Sequence, residues 1–571
     1  MKRIFLFLSL ALLLAAIGRA AYHAATAPEK ALSKYVPAGS LLYLEARDLS
    51  SLLADWNSST EKKQWVTTSN YEVFSRSRLL LRLQGASAQF AAAAGIPPSM
   101  DFLSQVAGTR SALALYDIGN LEFLYVTYLP SGRSMQTTLW QTRAKFEPRN
   151  AGGVAFYVRS DPESQKQVAF AVSGDYLLLA TREDLLAGAL QLMSKSQTQT
   201  QVHDLASEPW WSQAVASAGP AGDLRMVMNL EKIVPSPYFR TYWVQQNITE
   251  MKQYSAAVSD LFRSLEQYRE ERVLLRKSPA SPVADTGLEE AASLIRLIPE
   301  RAAIYETKAY PSGDSCFDLI ETKLLAPHSG PALVSEMAPE VQLTSGETGG
   351  GSDLETRIDQ QAVAPIVRPQ GTGLLKALFE KTQILASLQV QSTERDPSGV
   401  FIRIHSAIGL AAASDWNEPA VQAGLTDFLR PGLTAGEHGI VWEQSSGYYK
   451  LDGLWPLALA VRGKVLMIAD DPALIKAMLA GLNRKSDVKS ATLIAGFNHR
   501  QEQSNFARFF GLVDRPTGSL SDVRGMDRQP QFFSDNMTSL SATLADVSAE
   551  RVVQRAEPDR VLQTVTYEWS R

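Results

Sequence analysis

Residues 167–190 read QVAFAVSGDYLLLATREDLLAGAL. An apolar run, the pair Gly174-Asp175 and a second apolar run at Tyr176–Ala180 predict a β-hairpin with a tight turn. Thr181-Arg182-Glu183-Asp184 then opens a helix. Residues 457–479, LALAVRGKVLMIADDPALIKAML, repeat this layout. Ala171-Val172-x-Gly174 corresponds to Ala460-Val461-x-Gly463, Ala180 to Ala469, and Leu185-Leu186 to Leu474-Ile475. A supersecondary unit that recurs with the same punctuation predicts two related halves. Gly174 and Gly463 are expected in matching turns with positive φ, the conformation that a missing Cβ permits.

Two further correspondences support the repeat. Pro37 and Tyr43 precede and enter one apolar segment (Ser40–Glu45) as Pro299 and Tyr305 do another (Ala302–Glu306). The strand pattern Asp223–Leu230 is echoed by Ala491–Phe497, and aromatic segments follow both, Tyr238–Trp243 and Phe506–Phe510. Between these anchors, helices are expected at Asp48–Trp56 (capped by Asp48 or Ser50), Glu61–Leu83, Ala86–Ala94, Met100–Val106, Ser134–Ala144 and Ser207–Ser217. Ser111–Tyr116 and Leu121–Leu129 read as a hairpin and Gly153–Arg159 as a strand. Met251, Tyr254, Val258, Leu261, Leu265, Tyr268 and Val273 fall near a three-four spacing, which predicts one long helix over Thr249–Arg276. Strands are also expected at Ser315–Leu319, Gly399–His405, Gly439–Glu443, Leu540–Ser548 and Val561–Trp569.

These elements define an α+β class: two related halves, each a mainly antiparallel sheet with helices packed on one face. The first domain spans 29–276. The Pro- and Ser-punctuated stretch 277–288 is a linker, and the second domain spans 289–571 with a flexible Gly/Ser/Thr-rich loop at 343–353.

Composition narrows the function. A chain of 571 residues with 45% apolar and 20% charged residues is long enough for several folded units. A net charge of −4 offers no basic excess for a phosphate backbone, so no nucleic-acid partner is expected. The single cysteine, Cys316, precludes an intramolecular disulfide and reads as a small residue in a strand. Met1-Lys2-Arg3, the apolar run Ile4–Ile17 and the small residues Gly18, Ala20 and Ala21 have the layout of an export signal. The run is shorter than the roughly 20 residues of a comfortable span, which favours cleavage. An uncleaved anchor through residues 4–18 is the alternative, suggested by Arg19 and His23 in the cleavage region.

Local catalytic signatures are missing. The six histidines, His23, His203, His328, His405, His438 and His499, lie far apart in sequence, so no metal or cofactor is expected. Gly349–Gly351 lacks a following Gly-Lys-Ser/Thr and so is not a phosphate loop. Val215-Ala216-Ser217-Ala218-Gly219 lacks the first glycine of a nucleophile elbow and reads as a helix end. Of the acidic pairs Glu183-Asp184, Asp470-Asp471 and Glu289-Glu290, the first two sit at helix starts, where capping and the helix dipole explain them, and neither shows a partner acid or base nearby. Asn247-Ile-Thr249 and Asn536-Met-Thr538 match glycosylation acceptors.

The segments Pro37–Glu45, Ala112–Leu129 and Val168–Leu190 and the closing strand resemble bacterial exported proteins of the "domain of unknown function 3352" family, over most of 30–245 and weaker parts of 290–571. The resemblance implies an envelope protein of duplicated α+β build and supplies no catalytic residues. The reading is therefore of a periplasmic or membrane-anchored, non-catalytic binding or scaffold protein, with an envelope protein or a small ligand as partner. The aromatic segments Tyr238–Trp243 and Phe506–Phe510 read as core packing, with the lining of a binding site as the alternative. The alternative is an extracytoplasmic hydrolase whose site assembles from distant residues.

Overall fold

A computed structural model describes residues 31–67, 71, 75, 78–194, 202–236, 251–264, 267–325, 373–395, 402–433, 440–451, 456–502 and 547–569. They group into two compact units, one drawn from 31–262 and 272–278, the other from 263–271 and 279–569. The signal segment, the loop 343–353, both aromatic segments, both glycosylation acceptors, and His23, His328 and His438 lie outside the described residues.

In the first unit the strands are β1 (Leu42–Ala46), β2 (Arg110–Asp117), β3 (Glu122–Tyr128), β4 (Glu147–Ala151), β5 (Val154–Ser160), β6 (Gln167–Ser173), β7 (Tyr176–Ala180), β8 (Leu224–Asn229) and β9 (Tyr254–Arg263), with β10 (Gln267–Arg276) beyond. They pair antiparallel in the order β4-β5-β6-β7-β3-β2-β1-β8-β9. The second unit contains β11 (Ile304–Ala309), β12 (Ile384–Arg395), β13 (Ile402–Ala412), β14 (Glu443–Ser445), β15 (Tyr448–Leu451), β16 (Leu457–Arg462), β17 (Val465–Ala469), β18 (Leu493–Phe497), β19 (Val547–Ala556) and β20 (Arg560–Trp569). Its antiparallel order is β14-β15-β16-β17-β13-β12-β11-β18-β19-β20. The class is α+β.

The hairpin of residues 167–180 forms as its sequence predicts. Ser173 pairs with Tyr176 across Gly174-Asp175, and Arg462 pairs with Val465 across Gly463-Lys464. Gly174 has φ +57° and Gly463 φ +56°, the left-handed conformation that a glycine at the first central position of such turns supplies. No atom lies within 4 Å of a Cβ built on Gly174, so Gly174→Val meets backbone strain rather than a clash. A loss of about 1 kcal/mol in the first unit is expected, measurable as a lower urea midpoint; a parental midpoint would refute the turn.

Helices cover both faces of each sheet, not one. Side chains alternate along a strand, so Tyr43 and Leu44 point to opposite faces. Tyr43 is buried edge-on against Trp211 of the helix Pro209–Ser217, 4.8 Å between ring centroids. On the other face Leu44, Leu113, Tyr125, Leu179 and Phe170 align across five strands. That row meets the helices Arg78–Ala94 and Met100–Val106 through Phe90, Phe102 and Val106. The second unit is layered likewise. Met467 packs with Ile475 and Met478 of the helix Pro472–Gly481 on one face, and Ile468 with Phe379 and Phe428 on the other. Burial on both sides explains the unbroken apolar runs of β6, β7, β16 and β17, a pattern more usual in parallel sheets.

Several sequence expectations are corrected. Residues 254–263 and 267–276 form the strands β9 and β10, not a helix, because β8 presents an edge that β9 completes residue by residue from Leu224–Leu261 to Asn229–Ala256. Cys316 lies in the helix Gly313–Ile320, where Ser312 accepts the Ser315 amide at 3.1 Å and Cys316, Phe317 and Ile320 face the core. Burial pushes its thiol up to about 12, so it is unreactive. Ser134–Ala144 breaks into three short turns, Ser131–Ser134, Thr138–Gln141 and Arg143–Lys145. Gly439–Glu443 contributes to strand β14 only through Glu443, and the last four residues of the expected linker already belong to the helix Asp285–Ser293. The helix Glu418–Leu433 and the strands β4 and β12 carried no decisive local pattern.

Candidate functional site

The first unit holds a cavity of about 640 Å³ between the sheet and three helices. Its floor consists of Leu44 and Ala46 from β1, Leu113 and Leu115 from β2, and Phe123 and Tyr125 from β3. Above it stand Leu49 and Leu53 of the helix Leu49–Ser58, Leu83, Ala86 and Phe90 of Arg78–Ala94, and Phe102 and Val106 of Met100–Val106. Local sequence fixes where the first and last of these helices begin. Asp48 accepts the Ser51 amide at 3.0 Å, and Ser99 accepts the Phe102 amide at 3.3 Å. Leu83, Ala86 and Phe90 recur at three-four spacing, so one helix face lines the space.

One end of the cavity is polar. Asn120 from the β2–β3 turn, Lys166 from the β5–β6 turn, and Thr181 and Arg182 after β7 meet there. Arg182 bonds Glu122 at 2.8 Å and also Asp184, and these hydrogen bonds raise its pKa. Asp117 is occupied by the turn, accepting from the Gly119 and Asn120 amides at 2.5 and 3.0 Å. The Lys166 ammonium donates to Asn120 Oδ1 at 3.4 Å.

The acidic pairs separate in role. Glu183 and Asp184 occupy the first turn of Glu183–Met193, and Asp471 caps Pro472–Gly481 by accepting the Ala473 amide at 2.8 Å. Asp470 instead accepts the Ser406 amide at 3.0 Å and lies 3.4 Å from His405 Nδ1. Glu394 Oε2 is 3.1 Å from His405 Nε2. Sequence spacing could not show this cluster, because the β12–β13 register sets His405 opposite Ser392 and so diagonal to Glu394, and the β17 end brings in Asp470. The Asp470 hydrogen bond raises the His405 pKa against the opposing effect of burial. Protonated His405 therefore stabilises the second unit fully below its unfolded value of about 6.5, and the contribution fades as pH rises through the higher folded value. The parent is expected to lose more stability than His405→Gln between pH 6 and pH 9; equal losses in urea titrations would remove this role. Ser217 ends the helix Pro209–Ser217. Among the described residues no group of three or more His, Cys, Asp and Glu could hold a metal ion, and no helix is long and apolar enough to cross a membrane.

No family model and no curated protein matches the chain. Among solved structures, crystal form I of TP0453 aligns with TM-score 0.23 and 11% identity over 44% of this chain and 82% of that one. Crystal form IV of TP0453 gives TM-score 0.22 and 10% identity over 42% and 79%. Likeness at this level carries no argument about fold or function.

Proposed function

We propose that the chain is an exported, non-catalytic binding protein of the cell envelope, built from two duplicated α+β units, whose first unit holds an apolar ligand in the cavity described above. Duplication is supported by the strand orders, which coincide when ten is added to each number, and by the paired glycines at φ +57° and +56°. It is consistent with the resemblance to the family of domain of unknown function 3352. Export is supported by the signal layout of residues 1–21.

One observation carries the binding assignment. With Tyr43 set on Tyr305, the strand registers place Glu306, Lys308, Gln389 and Gln391 in the second unit where the cavity floor has Leu44, Ala46, Leu113 and Leu115. Glu306 and Lys308 are solvent-exposed. The fold thus accepts a polar surface at these positions, and the apolar floor of the first unit serves something other than sheet formation. The volume lies within the roughly 300–1,000 Å³ of small-molecule sites. Among the described lining residues the one carboxylate, Glu122, is held by Arg182, which favours binding over acid–base chemistry.

The neutral fluorophore N-phenyl-1-naphthylamine is expected to bind the full chain. Ala86→Trp, which fills the space from the helix side, is expected to weaken it about tenfold or more, equivalent to ~1.4 kcal/mol. Unchanged affinity in a variant with parental circular dichroism would exclude this cavity as the site. Recovery of the chain in the envelope fraction tests export, and its mature amino terminus distinguishes a cleaved signal from an anchor.

A further inference from the structure

From the arrangement of the cavity lining we infer that the ligand is a single-chain amphiphile with an anionic head, its tail over the Leu44–Leu113 floor and its head at Lys166. This rests on the apolar-ligand reading above and adds the ligand's chemical class. The lining is graded along its length. Ala46 and Val106 mark the uncharged end, where Ser111 keeps its hydroxyl bonded to Thr127, and Asn120 and Lys166 mark the charged end. β2 runs between them from Ser111 to Asp117, about 20 Å at roughly 3.3 Å per residue. An elongated tail fits such a space better than a compact ring system.

The head is assigned by accounting for charge. Among the described residues three charged side chains line the cavity: Glu122, Lys166 and Arg182. Glu122 and Arg182 neutralise each other, and Arg182 is further held by Asp184. Asp117, beside the site, accepts from the Gly119 and Asn120 amides and the Asn120 side chain, and the Lys166 charge acts on it from a distance without a direct bond. Lys166 keeps a neutral acceptor, the Asn120 amide oxygen, at the long distance of 3.4 Å. A carboxylate entering there replaces a long bond to a neutral acceptor by an ion pair, while the tail covers apolar floor.

The test is displacement of N-phenyl-1-naphthylamine from the full chain by lauric acid and by dodecanol, which share one tail and differ in head. Lauric acid is expected to compete at about fivefold lower concentration, the upper range for a partly exposed ion pair. Lys166→Gln is expected to abolish that difference by weakening lauric acid more than dodecanol. Equal competition by the two compounds in the parent, or a difference that survives Lys166→Gln, would overturn the anionic head and leave the apolar site standing. Failure of the probe and both compounds to bind would overturn the apolar site itself.

Discussion

Phe170→Ala is expected to destabilise the first unit by about 3–5 kcal/mol, the range for truncating a fully buried phenylalanine. Phe170 has no exposed surface. Its ring stacks on Tyr157 at 5.3 Å and meets Phe146 edge-on at 5.1 Å. It lies on β6 between β5 and β7, paired with Tyr157 on one side and Leu179 on the other. Neighbours fixed by strand pairing on both sides cannot collapse into the space left behind, so the cavity term adds to the lost transfer energy. Phe90→Ala, at the half-buried wall of the cavity, should cost less because that space is already open. Urea denaturation combined with hydrogen exchange of peptides spanning 167–180 measures both variants. Parental protection in Phe170→Ala would show that this row does not carry the core.

Arg225→Met is expected to have an effect of similar size for a different reason. Arg225 Nε and one terminal nitrogen each donate to Asp260 at 2.7 Å, across the β8–β9 pair. The side chains are only 12% and 3% exposed. The Gly222 amide donates to the same carboxylate at 3.0 Å, and Arg225 reaches the Gly219 carbonyl at 2.7 Å. Removing the guanidinium leaves a buried carboxylate with one amide for a partner, which costs about 3–5 kcal/mol. The double variant Arg225→Met/Asp260→Leu removes both charges and is expected to recover most of that loss. If it is no more stable than Arg225→Met, the penalty comes from packing and not from the stranded charge. Denaturation midpoints of the two single variants and the double variant form the required cycle.

How much was legible depended on the range of the forces involved. The Gly174 and Gly463 turns, the Asp48 and Asp471 caps and the paired apolar runs around them could be read directly, because each is satisfied within a few residues. Residues 254–276 were not legible in this way. Tyr254, Val258 and Leu261 fit a helical spacing, yet β8 offers unpaired backbone groups, and ladder hydrogen bonds to it outweigh a weak local preference. For Cys316 the local signal existed in Ser312 and Asp314, a cap followed by an acidic first turn, and the apolar residues around it suggested a strand instead.

The site divides along the same line. Leu44, Leu113, Phe90 and Phe102 are apolar residues in amphipathic segments, and in sequence nothing separates a residue that fills a core from one that lines a void. By itself the sequence determined the α+β class, the repeated hairpin with its glycine turns and the main helix starts. Tertiary structure alone decided the strand order, the helices on both faces, the His405–Asp470–Glu394 cluster and the cavity beside Lys166. Turns and caps are settled by backbone conformation and hydrogen bonds between near neighbours. A cavity exists only where the packing of distant helices leaves the sheet incompletely covered, and no local segment carries that information.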